Sequence, residues 1–339
     1  MSEARWKLET LIDFETEAAQ APRPSQEISE KIRSLTGDPL MRKRQGFLLW
    51  TLANARQAWG KKFLASLALL TLVFALVSFF TASASAWGCY TKEQNGIHVV
   101  FFLAITLLLP WAIFLLGLLV MVFRRHITPL SLVASFMLKR INRSLQLPDS
   151  VSRTILDHGQ ILGWRVSRQL QWVAVAYHLG AALSLLILAS FREIHFYWES
   201  TTQTAMQHLL ENAVHILSSP WSAIFPQAVP DIAASRWSPV TGLSQANHSA
   251  WWPFLLLCLL IWGIAPRVLL MLFSARKESK LLDQLSFQAP HHRKLWRELD
   301  GVKRDEVSSM PIDSAIVIDV GGICADPSLL RPYLLQQLR

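Results

Sequence analysis

Few residues in this 339-residue chain have the type and spacing to do chemistry. His178 lies inside a long apolar stretch, and His195 and Glu199 stand just beyond its end. An ionisable group in lipid is costly and by default marks a functional position, here a proton or solute relay. A neutral imidazole bonded to a neighbouring helix is the plainer reading, since no Asp or Glu accompanies His178 at its depth. Glu199 stands among Tyr197, Trp198 and Ser200. Burial against those rings would raise its pKa and suit a relay, whereas an exposed carboxylate would simply cap the next helix. His178, Glu199 and His195 therefore form a candidate polar site at the membrane and its interface, not a catalytic set. His291 and His292 adjoin a helix start, but adjacent positions face different sides and no third ligand is evident, so they read as solvated. Cys89, Cys258 and Cys324 are too dispersed for a disulfide framework or zinc site. Asp319, Val320, Gly321 and Gly322 superficially resemble the phosphate-cradling turn of sugar-kinase-like ATPases. That fold needs further strands for which the tail has no room, so a strand-ending turn is expected. With no GxxxxGK[ST] loop either, the expectation is a non-enzyme with no catalytic residues, cofactor or metal.

The elements that would position these residues are set by lipid. Hydrophobic residues make up 52% of the chain and charged residues 17%, against about 25% charged in soluble domains. Phe63 to Ala82 runs without charge or proline and is long enough to cross about 30 Å of hydrocarbon. Val99 to Phe123 is a second such span despite Pro110, which is expected to kink it. Gln171 to Phe191 is the third, and Trp251 to Phe273, interrupted by Pro266 and Arg267, is the fourth. Arg267 is expected to snorkel to the cytosolic headgroups. The fold class expected is thus an all-α integral membrane protein with four transmembrane helices, small cytosolic helical regions and one lone C-terminal β-strand.

Orientation follows from Lys and Arg in short loops. Arg42, Lys43, Arg44, Arg56, Lys61 and Lys62 precede the first span, and Arg276, Lys277 and Lys280 follow the fourth. The 124–168 connection is likewise basic, while 86–98 and 192–250 are not. Both termini are therefore expected on the cytosolic side of the membrane. The same clusters beside apolar segments point to anionic lipid as a partner and away from nucleic acid.

The expected divisions are a cytosolic helical region 1–62, a transmembrane hairpin 63–123, a basic loop 124–168, a second pair 169–273 with a periplasmic connection 192–250, and a cytosolic region 274–339. Thr128 and Pro129 open an amphipathic helix in the basic loop, with Lys139, Arg140 and Arg143 on its polar face. His195 to Leu217 is expected to be an amphipathic helix at the outer leaflet, followed by an irregular proline-rich cap over Ser218 to Pro239. Helices are expected at Lys277 to Phe287 and Pro290 to Leu299. Ser314 to Val320 is the chain's only convincing strand, and a single strand needs an edge to pair with. Ile316, Val317, Ile318, Asp319 and Val320, with the three basic residues of the loop helix, are the candidate partner-docking positions.

Phe191 to Thr202 (FREIHFYWESTT), the Phe-Pro and Val-Pro-Asp turns at Phe225 to Asp231, the Trp-Gly-Ile-Ala-Pro-Arg of the fourth span and Leu11 to Glu15 (LIDFE) resemble the bacterial inner-membrane family called domain of unknown function 2868. The resemblance implies a four-span protein of unassigned activity, typically encoded beside a predicted GTPase, and it carries no catalytic residues to transfer. The expected role is a non-enzymatic anchor or effector docking that GTPase. An oligomeric channel or small-solute transporter with a periplasmic vestibule is the alternative, since homo-oligomers could build a pore from the small and hydroxylated residues of the spans.

Overall fold

A computed structural model of the chain describes residues 6–20, 25–55, 57–123, 140, 151, 154–155, 157–237 and 250–300. Its helices begin with α1 (Leu8–Gln20), α2 (Gln26–Arg33), α3 (Pro39–Asn54) and α4 (Trp59–Gly88), followed by strands β1 (Tyr90–Thr91) and β2 (Gly96–His98). Next come α5 (Val99–Leu103), a π-helical turn (Ala104–Leu108), α6 (Leu109–Phe123), α7 (Gly159–Phe191), β3 (His195–Tyr197) and α8 (Gln203–Ser218). The described chain closes with α9 (Trp251–Leu257), a second π segment (Cys258–Ile264), α10 (Ala265–Asp283) and α11 (Pro290–Asp300).

Four helical runs, α4, α5 to α6, α7 and α9 to α10, are long and apolar enough to cross a membrane. Much of their apolar surface faces outward, including Leu69, Leu72, Val73, Val77 and Phe80 of α4 and Ile113, Leu116 and Leu119 of α6. Water is a poor solvent for so broad an apolar band, and hydrocarbon is a good one.

Two separate cores show how the runs are directed. Phe63 and Leu67 of α4, Ile161, Leu162 and Val166 of α7 and Leu282 of α10 join one core. Ala82 and Ala86 of α4, Ala181 to Leu188 of α7, Val99 to Leu107 of the second run and Trp251 to Leu259 of the fourth join the other. The first and third runs therefore point one way, and the second and fourth return. The α4 and α7 backbones meet closely, where a side chain at Gly180 would collide with the Phe79 carbonyl and Ser83 Oγ donates to Gly180 O at 3.2 Å. Small residues allow this backbone contact.

The first core belongs to a lobe of α1, α2, α3 and α11 built onto the ends of α4, α7 and α10. Apolar spacing on α1 buries Leu8, Leu11, Ile12 and Phe14, and Phe14 meets Phe47 and Phe287 at ring-centroid distances of 4.9 and 5.5 Å. Phe287 has φ 50, a conformation costly for a bulky side chain, and it is wedged among Trp6, Phe14 and Phe47. Lys43 Nζ donates to the Phe287 carbonyl at 2.8 Å, while the Arg44 guanidinium donates to the carbonyls of Leu282, at 3.0 Å, Asp283 and Leu285. Arg44 thus satisfies orphan carbonyls at the end of α10, and Lys43 one in the connection to α11. Helix α4 is capped from another helix: Ala58 at its start has φ 46 and gives no side-chain cap, and Asp13 of α1 accepts from Gly60 N–H at 2.7 Å. A side chain at Gly60 would overlap the Glu9 backbone, so glycine is what lets α1 cross there.

At the far end β1 and β2 form an antiparallel hairpin and β2 pairs with β3 in parallel. The helix expected over His195 to Leu217 is corrected accordingly: His195–Tyr197 is a strand, and helix begins only at Gln203. The strand expected at Ser314 to Val320 lies outside the described residues, as does most of the loop helix after Thr128. The helix expected at Lys277 to Phe287 is the uninterrupted continuation of α10 to Asp283.

Candidate functional site

Pro110 and Pro266 of the return helices account for several polar contacts between the spans. Leu109 N–H reaches back five residues to Ala104 O, so the Ile105 carbonyl loses its α-helical donor, and the next candidate, Pro110, has none. Tyr177 Oη of α7 donates to that carbonyl at 3.0 Å. The fourth run repeats the arrangement, with Ala265 N–H on Leu260 O ahead of Pro266. The Trp262 carbonyl, whose α-helical donor would be Pro266, accepts from Trp111 Nε1 at 2.9 Å. Arg267 does not snorkel: it is buried, donates to Pro110 O at 3.3 Å and lies 4.5 Å from the Phe114 ring centroid. Backbone groups freed inside the bundle are therefore answered by neighbouring helices.

His178 is fully buried in α7, its Nδ1 2.7 Å from the Ala174 carbonyl, with Nε2 lacking a partner among the described residues. Its ring lies against Gly263 in the π segment, where a Cβ would strike it. His178 precedes the end of α7 by about 20 Å at 1.5 Å per residue, so it is not brought together with His195 and Glu199. His195 is half-buried in β3, its N–H donating to Asn95 O at 3.0 Å, and Glu199 is exposed. The burial that would have made Glu199 a relay is absent.

Glu199 nevertheless faces a buried histidine. His98 caps α5, its Nδ1 accepting from Phe101 N–H at 3.4 Å, and its ring lies 5.2 Å from that of Tyr197. Burial lowers the His98 pKa, partly countered by the Glu199 charge and by a hydrogen bond to the Glu199 backbone. The surrounding aromatic residues hold the sheet end together. Trp198 is fully buried and donates from Nε1 to Ile232 O at 2.8 Å, and Trp251 Nε1 donates to Ser235 Oγ at 2.6 Å. Trp262 Nε1 reaches Leu217 O at 2.8 Å. Of the docking candidates only Arg140, which is exposed, lies among the described residues; Lys139, Arg143 and Ile316 to Val320 do not.

The densest gathering of titratable groups is in the lobe, and His291 and His292 belong to it rather than to solvent. Glu15 Oε2 accepts from His291 Nε2 at 2.8 Å, and Glu15 Oε1 is 2.9 Å from His292 Nε2 and 3.2 Å from His158 Nε2. Glu15 and His292 are buried. Burial pushes the Glu15 carboxyl up, but the hydrogen bonds from His158 and His292, the His292 charge and the His291 hydrogen bond outweigh it and hold the carboxyl well below its usual range. Spacing could not reveal the cluster, because α1, the turn before α7 and α11 contribute from distant parts of the sequence. One signal was available: Glu15 follows Leu11, Ile12 and Phe14 on a helix whose apolar face must be buried, and a carboxylate there requires partners. A second buried carboxylate, Glu278 of α10, binds Arg165 at 3.2 Å and Arg168 at 3.5 Å and so ties α10 to α7.

The family described as "Protein of unknown function (DUF2868)" matches residues 132–306. The match takes in His158, His178, Glu199, Arg267, His291 and His292, and leaves out Glu15 and the 314–320 segment. Comparison with curated proteins gave no match, and comparison with solved structures gave none either.

Proposed function

Taking as premise that the chain belongs to the DUF2868 family of proteins of unknown function, we propose that it is a non-enzymatic anchor of the bacterial inner membrane that presents its lobe to a cytosolic partner. One observation carries this reading. The lobe core is continuous with α4, α7 and α10, so three of the four apolar runs hold a folded body at one end of the bundle. The polar groups a conduction path would need are turned instead to bracing: Tyr177, Trp111 and Arg267 answer backbone carbonyls of neighbouring helices. Lys61, Lys62, Arg276, Lys277 and Lys280 are exposed at the lobe end, which supports a cytosolic lobe.

The partner we infer is the GTPase that the family resemblance implies, with Ile316 to Val320 as the added strand and Lys139, Arg140 and Arg143 as the basic face. Purification in mild detergent with the neighbouring GTPase tests this. Co-elution in at least one nucleotide state is expected, and it should be lost on deleting residues 302 to 339. No co-elution in any nucleotide state, together with solute flux in liposomes, would favour the channel instead.

A further inference from the structure

We propose that Glu15, His291 and His292 bind a divalent transition-metal ion of the zinc class, with His158 holding the carboxylate through Oε1. A carboxylate oxygen and two imidazole nitrogens are borderline ligands of the kind Zn²⁺ takes, at about 2.0–2.2 Å each. Ligands at that distance around a tetrahedral ion lie about 3.3 Å from one another. Those of Glu15, His291 and His292 all lie within 4.8 Å of one another, and the carboxylate contacts of 2.8 and 2.9 Å need to open only by a few tenths of an ångström. On binding, the ion takes the Nε2 position and each ring keeps one proton on Nδ1; only a proton in excess of that leaves to solvent.

The His291 and His292 rings are 4.1 Å apart between centroids, which sets the two imidazoles side by side at the carboxylate. His158, bonded to Glu15 Oε1, fixes the carboxylate as outer partners of metal ligands do. The His291 side chain is 44% exposed, against 7% for His292 and 9% for Glu15, which gives the ion one route in. Three protein ligands leave a fourth position for water on that open side. The ion would join α1 to α11 within the lobe and is independent of any partner that docks there.

The test uses the full chain in mild detergent, expressed without a histidine tag and stripped with chelator, with Zn²⁺ alone as the probe. The wild type should take up one Zn²⁺ per chain in chelator competition, and Co²⁺ should give the visible absorption of a four-coordinate site. His292→Gln and Glu15→Gln should each weaken binding at least tenfold. His158→Gln should weaken it about tenfold or more while leaving the stoichiometry unchanged. Since Glu15→Gln also disturbs the core, His291→Ala, altered at a half-exposed position, is the decisive variant: with chelator it should still melt cooperatively, lowered only by the lost hydrogen bond to Glu15, while its Zn²⁺ affinity falls at least tenfold and Zn²⁺ raises its melting temperature less than that of the wild type. Equal Zn²⁺ affinity in the wild type and His291→Ala, or no uptake by the wild type, overturns the site and leaves a hydrogen-bonded network.

Discussion

His98 shows how one side chain can make the far end of the molecule sensitive to acid. Its folded pKa lies below the ordinary value, so the unfolded chain binds the proton more readily. The stabilisation is therefore complete above about pH 6.5, declines as pH falls through that value, and levels off below the folded pKa. Protonation at Nδ1 also removes the acceptor that caps α5. Thermal melts between pH 5 and 7.5 should show a smaller pH dependence for His98→Asn, which keeps a cap without titrating. Glu199→Gln should move the His98 titration, followed by NMR, to lower pH. Trp198 carries a different role: replacing it with Phe leaves the buried Ile232 carbonyl without a donor, a loss of about 1–3 kcal/mol readable by chemical denaturation. The aromatic signature around Trp198 was legible as a distinctive string, but its job was not. That job depends on Ser235 and Ile232, which lie more than thirty residues away in the chain.

Helices were the most legible elements, because a charge-free length is a property of consecutive residues. All four apolar runs fall where the sequence places them, and α11 begins at Pro290 as expected. Their irregularities were less so. Pro110 announces a disturbance, but a π turn rather than a simple kink persists because Tyr177 on another helix answers the freed carbonyl. Likewise, Arg42, Lys43 and Arg44 read as orientation signals, and only the fold shows that Arg44 closes the end of α10 and that Lys43 holds the connection after it. Arg44→Met should lower lobe stability by about 1–3 kcal/mol, with Arg44→Lys restoring only part of it, because one ammonium cannot span the same carbonyls. Gly180→Val should separate α4 from α7 and cost about 1–3 kcal/mol as overpacking, seen as a lower melting temperature in detergent.

At the scale of the whole molecule, the alternation of the four runs places both described ends of the chain in the same lobe. A phosphatase reporter fused after residue 94 should be active in the periplasm and one fused after residue 300 inactive; the reverse result would invert the proposed orientation. The length of α4 has a mechanical corollary. At 1.5 Å per residue its 30 residues extend about 45 Å, against a hydrocarbon thickness of about 30 Å, and its first turns are already locked into the lobe. Thinning or thickening of the bilayer is met by helix tilt, and a shaft without a joint cannot tilt alone. Lipid composition should therefore set the angle at which the lobe leans over the membrane surface, so that whatever it grips is steered by the thickness of the sheet in which it stands.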